Sequence, residues 1–201
     1  SGDSDGDVFT SSDYGLNWAY AAHPPTSPGW SIEALALNGV YAVMGDSAGY
    51  VSHSSNGGAT WTSNGHVNLS GNMRTAATNG TTFVMAGSGK IFWSADNGAS
   101  WTESTGGPGF SSSIAVSGST YYMATGTDVY SSTDGGGTWS VAFSPTLPGG
   151  SLSRIAVSGT EIAVQGSTIS GAYVVVSNDS GATWTTAATA PTGTVRTFAF
   201  A

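Results

Sequence analysis

"SADNGASW" (residues 94–101) decides how this chain is read. Its spacing of Ser, Asp, Gly and Trp returns as "SSDYGLNW" (11–18), "SSNGGATW" (54–61), "STDGGGTW" (132–139) and "SNDSGATW" (177–184). All five copies fit Ser-x-[Asp/Asn]-x-Gly-x-[Thr/Ser/Asn]-Trp. Their tryptophans, Trp18, Trp61, Trp101, Trp139 and Trp184, stand 43, 40, 38 and 45 residues apart. A four-point pattern at a near-constant period marks a repeat protein.

The repeat unit is built of strands. "EALALNG" (33–39), "RTAATNG" (74–80), "SSIAVSG" (112–118) and "SRIAVSG" (153–159) each end in Asn-Gly or Ser-Gly, and each is followed by a short apolar run. Two β-type runs about such a dipeptide predict a hairpin with a tight turn. A third run, such as "KIFWSA", leads into the Ser-Asp-Gly-Trp segment, and a shorter fourth run follows each Trp. Each period is therefore four antiparallel strands, A to D, with no room for a helix. The repeated segment is the C–D turn. Its acids Asp13, Asp96, Asp134 and Asp179 are expected to accept hydrogen bonds from turn amides. Gly supplies a backbone conformation other residues resist, and Trp buries its ring. Asn56 replaces the acid in the second copy, which suits a turn acceptor better than a catalytic acid.

These turns resemble the Asp-box (BNR) repeats of sialidases, sortilin-type receptors, xyloglucan hydrolases and photosystem assembly factors. The resemblance covers all five periods. It implies an all-β propeller of about five four-stranded antiparallel blades, or an arc of a larger propeller, over residues 1–201 as a single domain. It does not imply one function, since the family spans enzymes, receptors and assembly factors.

Composition narrows the classes. Charged residues are only 8% of the 201, against roughly 25% in typical soluble domains. Seven Trp, eight Tyr and seven Phe nonetheless offer a large apolar payload for a core. With a net charge of −8 and four Lys plus Arg, nucleic-acid binding is not expected. No apolar run is long enough for a helix that inserts in a membrane. The absence of cysteine removes disulfides and thiolate chemistry. Low charge and the sequons at Asn68, Asn79 and Asn178 point to an extracellular or cell-surface glycoprotein. The chain starts without Met or a leader, so it is expected to be a segment of a longer protein.

In a propeller the D–A and B–C loops share one face, opposite the C–D turns, and the resemblance places ligand sites there. Trp30 and Phe110 occupy nearly equivalent D–A loop positions. Glu33, Arg74 and Ser112 align at the start of strand A, and Arg196 fits the same slot. These residues make a candidate polar site with aromatic walls. The alternative is that Glu33 pairs with its flanking arginines and the aromatics cover loop backbone. Sialidases use three arginines, but Arg154 falls one residue out of step with Arg74 and Arg196. A glycosidase needs two neighbouring carboxylates, and no motif selects a pair among Asp3, Asp5, Asp7, Asp46, Asp128 and Glu33. "DSDGD" (3–7) alternates Asp3, Asp5 and Asp7 as calcium loops do, yet Gly6 precedes the third acid and no downstream Glu follows. No cofactor is expected, with calcium there as the one candidate.

The expected role is a non-catalytic extracellular module that binds glycan or protein or builds a surface assembly. The alternatives are an Asp-box glycoside hydrolase, sialidase-like or xyloglucanase-like, and a purely structural subunit. Strand counting adds one expectation. Strand B occurs four times, whereas A (with 194–201), C and D occur five times. The two termini then share one blade that lacks its B strand. That strand is expected from beyond Ala201, from before Ser1, or from another chain or copy.

Overall fold

The computed structural model describes residues 7–11, 13–24, 31–67, 72–109, 113–147, 149–169 and 171–187. Among them every regular element is a β-strand. An edge sheet pairs β1 (Val8–Thr10) with β2 (Ala19–Ala22). The first complete blade holds β3 (Ile32–Asn38), β4 (Tyr41–Asp46), β5 (Tyr50–Ser54) and β6 (Thr62–His66). The second holds β7 (Met73–Thr78), β8 (Phe83–Gly87), β9 (Ile91–Ser94) and β10 (Thr102–Glu103). The third holds β11 (Ile114–Ser117), β12 (Thr120–Thr125), β13 (Asp128–Ser132) and β14 (Ser140–Phe143). The fourth holds β15 (Ser151–Ser158), β16 (Glu161–Thr168), β17 (Gly171–Ser177) and β18 (Thr185–Thr186). Each complete sheet is antiparallel with its strands in sequence order, as the repeat predicts.

The blades follow one another through their A strands, since β3 packs on β7, β7 on β11 and β11 on β15. Together they form an arc of a β-propeller. The predicted closing strand at 194–201 lies outside the described residues.

The core is divided among the gaps between blades. Ala34, Val43 and Val51 of the first blade pack with Met73, Phe83 and Met85 of the second. Val84, Ala86 and Ile91 of the second meet Tyr121, Met123 and Trp139 of the third. Tyr122, Ala124 and Val129 of the third meet Leu152, Ile162 and Val164 of the fourth. Strands β4, β8, β12 and β16 lie inside their sheets and are buried along most of their length. Burial of successive residues along them is why these strands read as continuous apolar runs without polar alternation. The D strands at the rim are mostly exposed and polar.

One feature of the A strands departs from simple alternation. Strands β3, β7 and β15 each carry a bulge near their start, between Ile32 and Ala34, Met73 and Thr75, and Leu152 and Arg154. Glu33, Arg74 and Ser153 are the extra residues. A bulge re-aims the side chain it inserts, and here it does so where the A strands leave the D–A loops.

Candidate functional site

Of the five candidate ligand residues, the structure places two. Glu33 and Arg74 are both exposed and stand at equivalent bulges on the neighbouring strands β3 and β7. The Glu33 carboxylate accepts a hydrogen bond from Ser31 Oγ at 2.7 Å. Arg154 sits one place beyond the bulge of β15, paired with Gln165, so it keeps its offset from Arg74. Trp30, Phe110 and Arg196 lie outside the described residues, as do Ser112, Asn68, Asp3 and Asp5. Asp7 pairs with His23 at 2.9 Å. Among the described residues no group of three or more His, Cys, Asp or Glu could hold a metal ion.

The other acids of this face are used locally. Asp46 ends β4 fully buried, with Oδ1 accepting from the amides of Ala48 (2.8 Å) and Tyr50 (2.9 Å). It shapes the B–C turn and offers no accessible carboxylate beside Glu33. Asp128 accepts from the hydroxyls of Ser144 and Thr127. Glu103 accepts from Lys90 Nζ at 2.7 Å. A carboxylate pair open to a glycosidic bond is therefore not assembled from Glu33 and Asp46.

Among the described residues the repeated turn is the most fully built polar arrangement. In the copy at 94–101, Ser94 Oγ donates to Asp96 Oδ1 (2.7 Å) and accepts from Gly98 N (2.9 Å). Asp96 Oδ1 also accepts from Ser100 N (2.9 Å), while Oδ2 accepts from Ser100 Oγ (2.6 Å). Trp101 Nε1 donates to Gly98 O at 3.0 Å. The same bonds recur around Asp13, Asp134 and Asp179. In the second copy Asn56 Oδ1 takes both acceptor roles, and its Nδ2 donates to Thr60 Oγ1 at 2.7 Å. The threonine hydroxyl merely reverses its direction, so a neutral amide completes the turn.

These donors hold the carboxylates ionised. The Asn17 backbone N–H, with its side-chain amide and the Ser11 hydroxyl, lowers Asp13 to about 2. The Thr183 hydroxyl and N–H, with Ser177, lower Asp179 to about 2. At Asp96 and Asp134 partial burial pushes upward, but donors from Ser100 and Ser94, or Thr138 and Ser132, leave the carboxyl below its ordinary range. A carboxyl kept so acidic is a poor general acid near neutral pH.

Sequence reasoning missed what the turns do between blades. The turn glycines Gly98 and Gly136 have the expected positive φ, 88° and 100°. Each also packs on the preceding blade. A Cβ on Gly98 would strike Val43 and His53, and one on Gly136 would strike Val84 and Trp93. The A–B turns are stitched likewise. Asn38 Nδ2 donates to Gly80 O (2.8 Å), Asn79 Nδ2 to Ser119 O (3.3 Å) and Ser117 Oγ to Gly159 O (2.7 Å). In these three blades the residue before the turn glycine thus reaches the next blade. Asn79 spends its amide here, while Oδ1 accepts from the backbone amides of Thr81 and Thr82. Asn178 is exposed. The bulges had a signal in the sequence: two polar residues separate the buried Leu152 and Ile155, where strict alternation allows one.

Comparison with known proteins agrees with this architecture. The chain superposes on an ancestral GH74 enzyme with a TM-score of 0.68 at 18% identity, over 92% of this chain and 28% of that one. The GH74 xyloglucanase from Xanthomonas campestris gives 0.68 at 16%, over 90% and 34%. YCF48 bound to D1 peptide gives 0.61 at 14%, over 90% and 74%. At such identities the likeness is one of fold. The chain spans about a third or less of the length of the two GH74 proteins. No curated protein matches it. A family profile described as the DUF6242 beta propeller domain matches residues 16–190, nearly the whole chain, and the protein belongs to that family.

Proposed function

We propose that this chain is a non-catalytic propeller module of Asp-box type that binds a partner through its loop face, at the cell surface or outside the cell. The observation that carries this reading is the placement of exposed Glu33 and Arg74 at equivalent bulges of neighbouring strands, with Asp46 buried and committed to backbone amides. That arrangement presents opposite charges for recognition, and among the described residues Asp46 adds no accessible carboxylate beside Glu33 for cleavage. A protein partner is the favoured occupant, supported by the peptide-bound state of YCF48. A glycan, with Trp30, Phe110 and Arg196 as the further contacts the sequence suggests, is the second form of the same site. Surface location is supported by the low charge and by the exposed Asn178 sequon.

The test combines affinity capture, a glycan array and incubation with β-glucans and sialosides. Glu33→Gln and Arg74→Ala should abolish retention of the captured ligand without moving the melting temperature. Steady release of sugar by the wild-type chain, lost in Glu33→Gln, would establish the glycoside hydrolase instead. Ligand retention untouched by both changes would remove the loop face from the binding reading.

A further inference from the structure

A glycine that follows asparagine leaves its own amide nitrogen unhindered to attack the Asn Cγ. Asn-Gly is therefore the dipeptide most prone to lose its side-chain amide. The chain carries five such pairs, at Asn38, Asn56, Asn64, Asn79 and Asn97. We propose that the fold singles out Asn38 as a site of spontaneous deamidation, with water as the co-reactant. The product loosens the joint between the first and second blades.

In this reaction the glycine nitrogen gives its proton to solvent and bonds to Asn Cγ. The Cγ–Nδ2 bond then breaks, and Nδ2 takes up a proton and leaves as ammonia. Water opens the cyclic imide at either carbonyl, which yields Asp or its β-linked isomer. A glycine N–H that already donates a hydrogen bond is held back from the first step. Gly57 N donates to Val40 O (2.7 Å) and Gly65 N to Ser63 Oγ (3.1 Å). Gly80 N donates to Thr78 Oγ1 (3.1 Å) and Gly98 N to Ser94 Oγ (2.9 Å). The asparagines are held as well. Asn56 Oδ1 accepts from Thr60 N and Ser54 Oγ, and Asn79 Oδ1 from the amides of Thr81 and Thr82. Asn64 Nδ2 donates to Ala99 O, and Gly98 is buried against Val43 and His53, which pins the backbone beside Asn97.

The pair at 38–39 differs on each count. Gly39 is exposed in the turn between β3 and β4, and a Cβ placed there would meet nothing within 4 Å. Among the described residues its N–H has no hydrogen-bond acceptor. The Asn38 side chain is engaged through Nδ2, which donates to Gly80 O at 2.8 Å, while Oδ1 and Cγ stay open. That donated bond is the stitch between the first two blades, so its loss has a consequence. A carboxylate at 38 has no hydrogen to donate and sets two acceptors against each other. The β-linked isomer also lengthens the main chain inside the turn that pairs Asn38 with Tyr41. In the third blade Ser117 Oγ makes the equivalent bond to Gly159 O, and a serine is immune to this chemistry.

This inference concerns the A–B turns and is independent of the loop-face binding reading. Two measurements on the whole protein test it. In the first, the protein is aged in mildly alkaline heavy-oxygen water, and label uptake at each Asn-Gly pair is followed by peptide mass. The same chain aged in urea sets the intrinsic rate of each pair. Relative to urea, position 38 should convert about tenfold faster than the other four, since each of those must first open a hydrogen bond. Another pair converting as fast, or no conversion at 38 while the urea sample converts, would overturn the assignment. The second compares the melting of Asn38→Asp with that of Asn38→Ser, which keeps a donor as Ser117 does. The Asp variant should melt about 2–4 °C lower. Equal melting temperatures would overturn the loosening of the joint.

Discussion

The turns at 11–18 and 132–139 have the same hydrogen bonds and opposite surroundings. Ser, Asp, Gly and Trp make equivalent contacts in both. Yet Trp18 is 56% exposed and Trp139 only 5%. Trp139 lies in the cluster shared with Val84 and Ile91 of the preceding blade. The edge-sheet turn carries the exposed Tyr14 and Leu16, where the later turn has Gly135 and Gly137. The difference teaches that the motif has two separable parts: a locally bonded loop, and a plug whose worth depends on the blade before it.

The largest expected separation is between the tryptophans. Trp139→Ala should cost about 3–5 kcal/mol, as large-to-small changes in a packed core do. Trp18→Ala should cost less than about 1 kcal/mol because most of its ring is already in water. Denaturant midpoints at fixed slope measure both. Equal costs would mean that Trp18 is covered in solution.

The glycines sharpen the same contrast. An alanine at Gly136 meets both a left-handed backbone and the Val84 side chain, for about 2–4 kcal/mol in all. At Gly15 the nearest contact is its own turn tryptophan, at 3.7 Å, so only the backbone term of about 1 kcal/mol is expected. Thermal melts of the two variants decide whether the turn docks on the blade before it.

Smaller effects follow at the acids, where the bonded loop should behave alike in every copy. Asp134→Asn should be close to neutral, within about 0.5 kcal/mol, because Asn56 already completes the same turn. Asp134→Ala should cost about 1 kcal/mol, the low end for lost acceptors at an exposed site. A costly Asn variant would show that charge, not geometry, holds the turn.

The smallest expected effect is a pH dependence. Asp13 and Asp179 are held at about 2, below the ordinary 3.8. The unfolded chain therefore binds protons first as the pH drops, and stability falls. The contribution is fully present above about pH 4 and is lost as pH passes through about 2. Melting temperature followed from pH 5 to 2 should decline less in an Asp13→Asn/Asp179→Asn variant. Identical profiles would exclude these acids from the acid sensitivity.

The sequence by itself determined the strands, their order and the five turns. The reason is range: every hydrogen bond of the turn closes within a few residues, as from Asp96 to Ser100, so side-chain types at fixed spacing suffice to encode it. The A–B hairpins were legible for the same reason, since Asn-Gly and Ser-Gly set a local backbone. Glu33 and Arg74 were legible as equivalent positions, because alignment to the turn glycine needs no knowledge of packing. Tertiary structure alone decided which tryptophan is buried, that the turn glycine is a contact as well as a bend, and that Asn38, Asn79 and Ser117 reach the next blade. Those outcomes rest on residues a full repeat or more away, such as Val43 against Gly98 and Ser119 against Asn79. A pattern repeated in one blade does not say whether another blade stands beside it, and burial depends on that neighbour.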